Sequence, residues 1–223
     1  MQETSKVTIL KLDASIPSVI YRFLDKPKHV EDLIRGEVWI STLERCRKYE
    51  GARGDSDEGS VDYQSGTIIA DGDDDTLQLM AKRSGISIGK DVKSILFSNN
   101  SSSVSIPDAW VFCTTERCAT ERLRQFGSYG VRINEPIRFC EAVTARISAQ
   151  HEVTAMVGRI RYRERFYKAT DPEPGPLGFV KPPDKYADEV EFRMLWKPEW
   201  KLTSPLEPMT VNCPEIRTLV SRL

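Results

Sequence analysis

Four groups of residues in this sequence have types and spacing suited to chemistry. The first is Tyr21-Arg22, followed roughly 20 residues later by Ser41-Thr42. If both pairs lie on strands, alternation turns Arg22 away from Tyr21, so one faces a core and the other a cleft. A cleft-facing guanidinium grips paired phosphate oxygens through its fork of donors. The second group is the run Ala187–Arg193, ADEVEFR, in which Glu189, Glu191 and Arg193 alternate with Val190 and Phe192. On a strand the three charges share one face. A carboxylate there can hydrogen-bond a ribose hydroxyl and stabilise an oxocarbenium-like centre. The third is the loop from Arg45 through Tyr49 to Gly59, rich in both charge signs, of the kind that carries sites at strand ends. The fourth is Arg159, Arg161, Arg163 and Arg165, spaced by two; on one strand they would form a row suited to a phosphodiester backbone. Each group also has an ordinary alternative: a solvated strand Arg with a capping Ser-Thr, a charged edge face, a solvated loop, or an edge strand whose charges resist aggregation.

These groups need elements to hold them. Strands are expected over Lys6–Leu12, Ser18–Leu24 and Glu37–Leu43, with a helix opened by Pro27 and closed by Gly36 between the last two. Short strands follow at Gly66–Ala70, Thr76–Ala81 and Val92–Phe97, and the Ser/Asn run Ser98–Ser105 reads as a polar loop. Trp110–Thr115 is strongly apolar and expected to be central. Arg117–Phe126 reads as a helix, Tyr129–Ile133 as a strand, and Pro136 opens a helix with Phe139, Val143 and Ile147 on one stripe. A strand or pair of strands spans Glu152–Lys168, further strands cover Val190–Trp196 and Met209–Val211, and Pro214 starts a last helix. Many strands, about four short helices and no regular strand–helix alternation predict a single α+β domain over 1–223, mostly antiparallel and strand-rich.

Composition narrows the class. The chain has a net charge of −1, which argues against a general nucleic-acid coat and leaves room for a local basic groove. No apolar run approaches the roughly 20 residues needed to cross a bilayer, and the polar N-terminus lacks a signal-peptide core, so a cytoplasmic location without membrane partners is expected. Five widely spread cysteines predict reduced thiols. With no C-x-x-C pair and two distant histidines, no metal site is expected. Asp71, Asp73 and Asp75 imitate an EF-hand start, but Thr76 and Lys82 occupy the required Gly and Glu positions.

Taken in order, YRFL (21–24), VWIST (38–42), FCTTE (112–116), FVKPPDKYADEVEFRML (179–195) and CPEIRTLV (213–220) resemble uncharacterised bacterial domains and the ADP-ribosyltransferase core. That resemblance implies a split sheet and NAD as co-substrate. It makes Tyr21 and Arg22 NAD contacts, with Arg22 holding phosphate or ribose, and Ser41 and Thr42 supports of the nicotinamide pocket. It further makes Glu191 the catalytic carboxylate with Glu189 in a Glu-x-Glu arrangement, and Tyr49 or Tyr63 the ring that stacks nicotinamide. Leu43 stands where the family pattern has a second Ser. The implied activity is ADP-ribosyl transfer to nucleic acid or protein, in a toxin or phage-defence effector with an antitoxin or defence partner. The alternative is a non-catalytic module of the same fold, binding nucleic acid or a partner through the Arg row.

Overall fold

The computed structural model describes residues 8–49, 54–118 and 126–223. Along the chain run β1 (Ile9–Lys11), β2 (Val19–Leu24), α1 (Pro27–Ile34), β3 (Glu37–Thr42) and α2 (Leu43–Lys48). Next come β4 (Ser60–Gln64), β5 (Thr67–Ala70), α3 (Asp75–Arg83), β6 (Ile95–Ser98), β7 (Ser101–Ser105) and β8 (Trp110–Thr115). They are followed by β9 (Tyr129–Asn134), α4 (Pro136–Ser148), β10 (Val153–Arg159), β11 (Arg161–Tyr162) and β12 (Phe166–Lys168). The last are β13 (Val180–Lys181), α5 (Pro183–Tyr186), β14 (Glu191–Pro198), β15 (Met209–Asn212) and β16 (Val220–Arg222). The fold is mixed α+β, strand-rich and mostly antiparallel, as the sequence predicts. None of the described helices is long and apolar enough to cross a membrane.

The chain divides into two compact units. The first comprises Met1–Glu58, Pro107–Ile160 and Asp184–Leu223; the second comprises Gly59–Ile106 and Arg161–Pro183.

The first unit is built on a nine-stranded sheet in the order β1-β10-β14-β8-β2-β9-β16. The sheet forks at β8. One end of β8 pairs β3 through Ser41–Val111 and Thr42–Trp110, and β3 in turn pairs β15. The other end pairs β2 through Tyr21–Thr115. Both faces of the centre are covered, so β8 is a near-continuous apolar run and β14 is buried continuously from Glu191 to Trp196, its two charged residues included. One face carries Ile20, Ile40, Phe112, Phe192, Met194 and Trp196 into the main core. There α4 presents Phe139, Val143 and Ile147, the stripe read from helical spacing, and α1 presents Val30 and Leu33. Gly36, closing α1, has a φ of 91° and lets the Cys213 carbonyl approach where a Cβ would stand 2.6 Å away.

The second unit holds three small sheets: β12-β4-β7, β5-β6 and β11-β13. Its core is Leu77, Met80, Ala81 and Phe97.

Several expectations are corrected. Thr76–Ala81 is helical, not a strand: the Asp74 carboxylate accepts from the Leu77 backbone N–H at 2.8 Å and starts α3. The Ser98–Ser105 segment contains β7, paired antiparallel to β4. After Pro214 the chain makes a 3-10 turn to Thr218 and then β16, in place of a longer helix. The expected helix Arg117–Phe126 lies mostly outside the described residues.

Among the thiols, burial pushes Cys140 up to about 12 against the opposing Thr144 hydrogen bond, and burial pushes Cys213 up to about 11. Cys118 is exposed. Iodoacetamide at pH 8 is therefore expected to alkylate Cys118 and to spare Cys140 and Cys213, because the thiolate is the reactive form. Peptide mass spectrometry reads the pattern, and modification of Cys140 in folded protein would mean that the α4 face opens readily.

Candidate active site at the fork of the sheet

Register fixes which residues share the second face of the sheet. Tyr21 stands opposite Thr115, and Thr115 opposite Glu191, so these three form one cross-strand row over β2, β8 and β14. The next row on the same face pairs Cys113 with Arg193, and the one beyond pairs Val111 with both Leu195 and Ser41.

On this face lies a buried ion network. Arg193 is 1% exposed and donates from Nε to Glu191 Oε1 at 2.8 Å. Its two terminal nitrogens donate to the two oxygens of Glu58 at 2.8 and 3.2 Å. Burial pulls the pKa of Arg193 down, but Glu191 and then Glu58 outweigh it and hold the guanidinium charged, well beyond its ordinary range. One cation thus faces two carboxylates that are nearly fully buried. Arg47 holds the loop that delivers Glu58, donating to the Glu58 carbonyl at 2.8 Å and to the Pro107 carbonyl at 2.9 Å.

Arg22 takes a different place from the one predicted. It lies on the Ile20 side of β2, its guanidinium 4.1 Å from the centre of the Phe112 ring, and it donates to the Cys113 carbonyl at 2.8 Å. Cys113 sits between the two β8 segments that pair β3 and β2, so Arg22 supplies a donor inside the fork. The bond ties β2 to β8.

Glu189 is separated from Glu191 by a change of element. It belongs to a 3-10 turn, and Val190 adopts a left-handed φ of 42° before β14 begins, so the two carboxylates do not share a pleat row. The Glu189 carbonyl accepts from the Thr115 hydroxyl at 2.6 Å, tying the turn to β8. Ser41 stands four residues from the Thr115 row along β8, about 13 Å at strand rise. Its buried hydroxyl oxygen has no hydrogen-bond partner among the described residues. Thr42 caps α2, its hydroxyl accepting from Arg45 N–H at 3.1 Å. Of the rings, Tyr63 is buried in the second unit against Tyr167, centroids 5.0 Å apart, with its hydroxyl donating to the Ala169 carbonyl. Its ring is thus committed to packing within that unit. Tyr49 is exposed beside Arg45.

The arginine row does not form. β10 ends at Arg159, which pairs with Glu116 and donates to the Ser15 carbonyl at 2.6 Å. Arg161 lies on β11 in the second unit, and Arg163 follows in an exposed connection. Arg165 is buried and donates twice to the Val180 carbonyl, at 3.3 and 3.0 Å. Spacing by two gives one face only on an unbroken strand, and here the chain leaves the large sheet after Ile160.

The sequence pattern assigns Arg193 no role of its own and places Glu58 in a loop. The available signal was local: Glu191 and Arg193 share a pleat face with apolar Leu195, a pattern of burial rather than of a solvated edge. Among the described residues, no group of three His, Cys, Asp or Glu is placed to hold a metal ion. Comparison of the chain with protein families, with curated proteins and with solved structures gives no match.

Proposed function

We propose that this protein cleaves NAD at the nicotinamide bond and transfers ADP-ribose to a macromolecular target, nucleic acid or protein, as a toxin or phage-defence effector with a cognate partner. The observation that carries the proposal is the Glu191 carboxylate, held beside a permanently charged Arg193, in a row with Thr115 and Tyr21 at the fork of the sheet. In the reaction the ribose C1′–nitrogen bond breaks and its electron pair leaves with nicotinamide. A nucleophilic atom of the target then bonds to C1′ and loses its proton. Positive charge develops on the ribose in between, and a fixed carboxylate in a low-dielectric setting stabilises it without reorganisation. Glu191 takes that role in the proposal. Arg193 and Glu58 position it, and Arg22 braces the fork that sets β2 beside β8.

A second reading follows from the Glu58–Arg193 contact, which is bidentate and buried, a geometry that serves equally as an internal brace. It makes the protein a non-catalytic binding module. Incubation of the purified protein with labelled NAD separates the two: free nicotinamide accumulating in proportion to protein supports transfer. No nicotinamide release, with and without cell extract as target, leaves the binding module.

A further inference from the structure

Trp39 lies on the outward side of β3. Its neighbours Val38 and Ile40 enter the core, while Trp39 keeps 47% of its surface exposed opposite Thr210 of β15. The chain then turns into α2, fixed by Thr42 at Arg45 N–H and by the Asp108 carboxylate at Glu44 N–H. That helix delivers Arg45 and Tyr49 to the same patch. The Arg45 guanidinium carbon is 6.0 Å from the Trp39 ring centre and 5.5 Å from that of Tyr49, and its Nε donates to the Tyr49 hydroxyl at 2.8 Å. Tyr49 is 36% exposed. No carboxylate among the described residues pairs with Arg45, whereas Arg47 and Lys48 share Glu44. The patch is therefore two exposed rings on either side of a planar cation that no carboxylate among the described residues pairs.

We infer that Trp39, Arg45 and Tyr49 form a contact for single-stranded nucleic acid, independently of any reaction with NAD. Unstacked bases lie on exposed indole and phenol faces irrespective of sequence, and a guanidinium between the rings meets the linking phosphate. Here the centre is charged and the rim aromatic, which suits a polyanion with flat rings.

A fluorescein-labelled 12-nucleotide single strand titrated with the protein at low salt tests this by anisotropy. Saturable binding is expected, with Trp39→Ala and Tyr49→Ala each weakening it about tenfold, within the range for loss of one stacked base. Arg45→Gln should flatten the slope of log affinity against log salt by about 0.7, one phosphate on a single strand. Trp200→Ala, also at an exposed tryptophan, should leave affinity unchanged. Tyr49 contributes to no buried core cluster, so its variant tests the site even if the Trp39 variant is poorly folded. The inference is overturned by absence of binding to the single strand or by wild-type affinity in both ring variants. Equal affinity for adenosine monophosphate and the 12-mer also overturns it, by identifying a mononucleotide site.

Discussion

Arg193→Leu is expected to lower stability by about 3–5 kcal/mol, the cost of breaking a buried ion pair by removing one member. The substitution removes a counter-charge from both Glu58 and Glu191, each nearly fully buried, together with the donors that now meet three of their oxygens. For a chain of this length that corresponds to a fall in melting temperature of roughly 6–20 °C, read by circular dichroism or calorimetry. Because the penalty arises from carboxylates that lose a buried counter-charge, adding Glu58→Leu should restore part of the loss. A double variant as unstable as the sum of the two single ones would mean that Glu58 and Arg193 act separately.

Glu191→Gln is expected to abolish nicotinamide release, by two or more orders of magnitude, with only a modest loss of stability. The amide oxygen still accepts from Arg193 Nε, and Glu58 still neutralises the guanidinium, so the cost should be about 1–2 kcal/mol, that of weakening one charge-assisted hydrogen bond. The rate falls much further because a neutral amide gives little stabilisation to a developing cation. Equal rates for the variant and the parent would remove Glu191 from the chemistry and leave it as part of the brace.

Sequence patterns read well where one periodicity dominated. PIRFCEAVTARIS puts Phe139, Val143 and Ile147 on one stripe, and α4 buries that stripe; EVWIST alternates, and β3 buries Val38 and Ile40. They misled where two periodicities fit the same letters. TLQLMA alternates through Leu77 and Leu79 as a strand would, yet Leu77, Met80 and Ala81 are the buried set, and the Asp74 cap decides for helix. The arginine row failed for a related reason: its alternation is genuine in the letters, but a strand end at Arg159 divides it. At the candidate site, the alternation of Glu191 with Arg193 follows from local pattern, whereas the row Tyr21–Thr115–Glu191 is set by strand pairing and the Glu58–Arg193 contact joins residues 135 apart. No spacing rule reaches that far, and only tertiary pairing brings them together.

The order of strands in the large sheet also bears on how the chain reaches its native state. β14 lies between β10 and β8, yet it is made after both. During synthesis, those two strands wait with unpaired edges and uncovered apolar faces until Glu191–Pro198 has emerged. The helices α1 and α4 can form early from local contacts, but closing the sheet requires bringing together segments separated by the whole second unit's excursions. Long-range closure of this kind sets folding rates more than helix formation does. The vacant lane between β8 and β10 is therefore the point at which a nascent chain is most exposed to mispairing with another copy of itself.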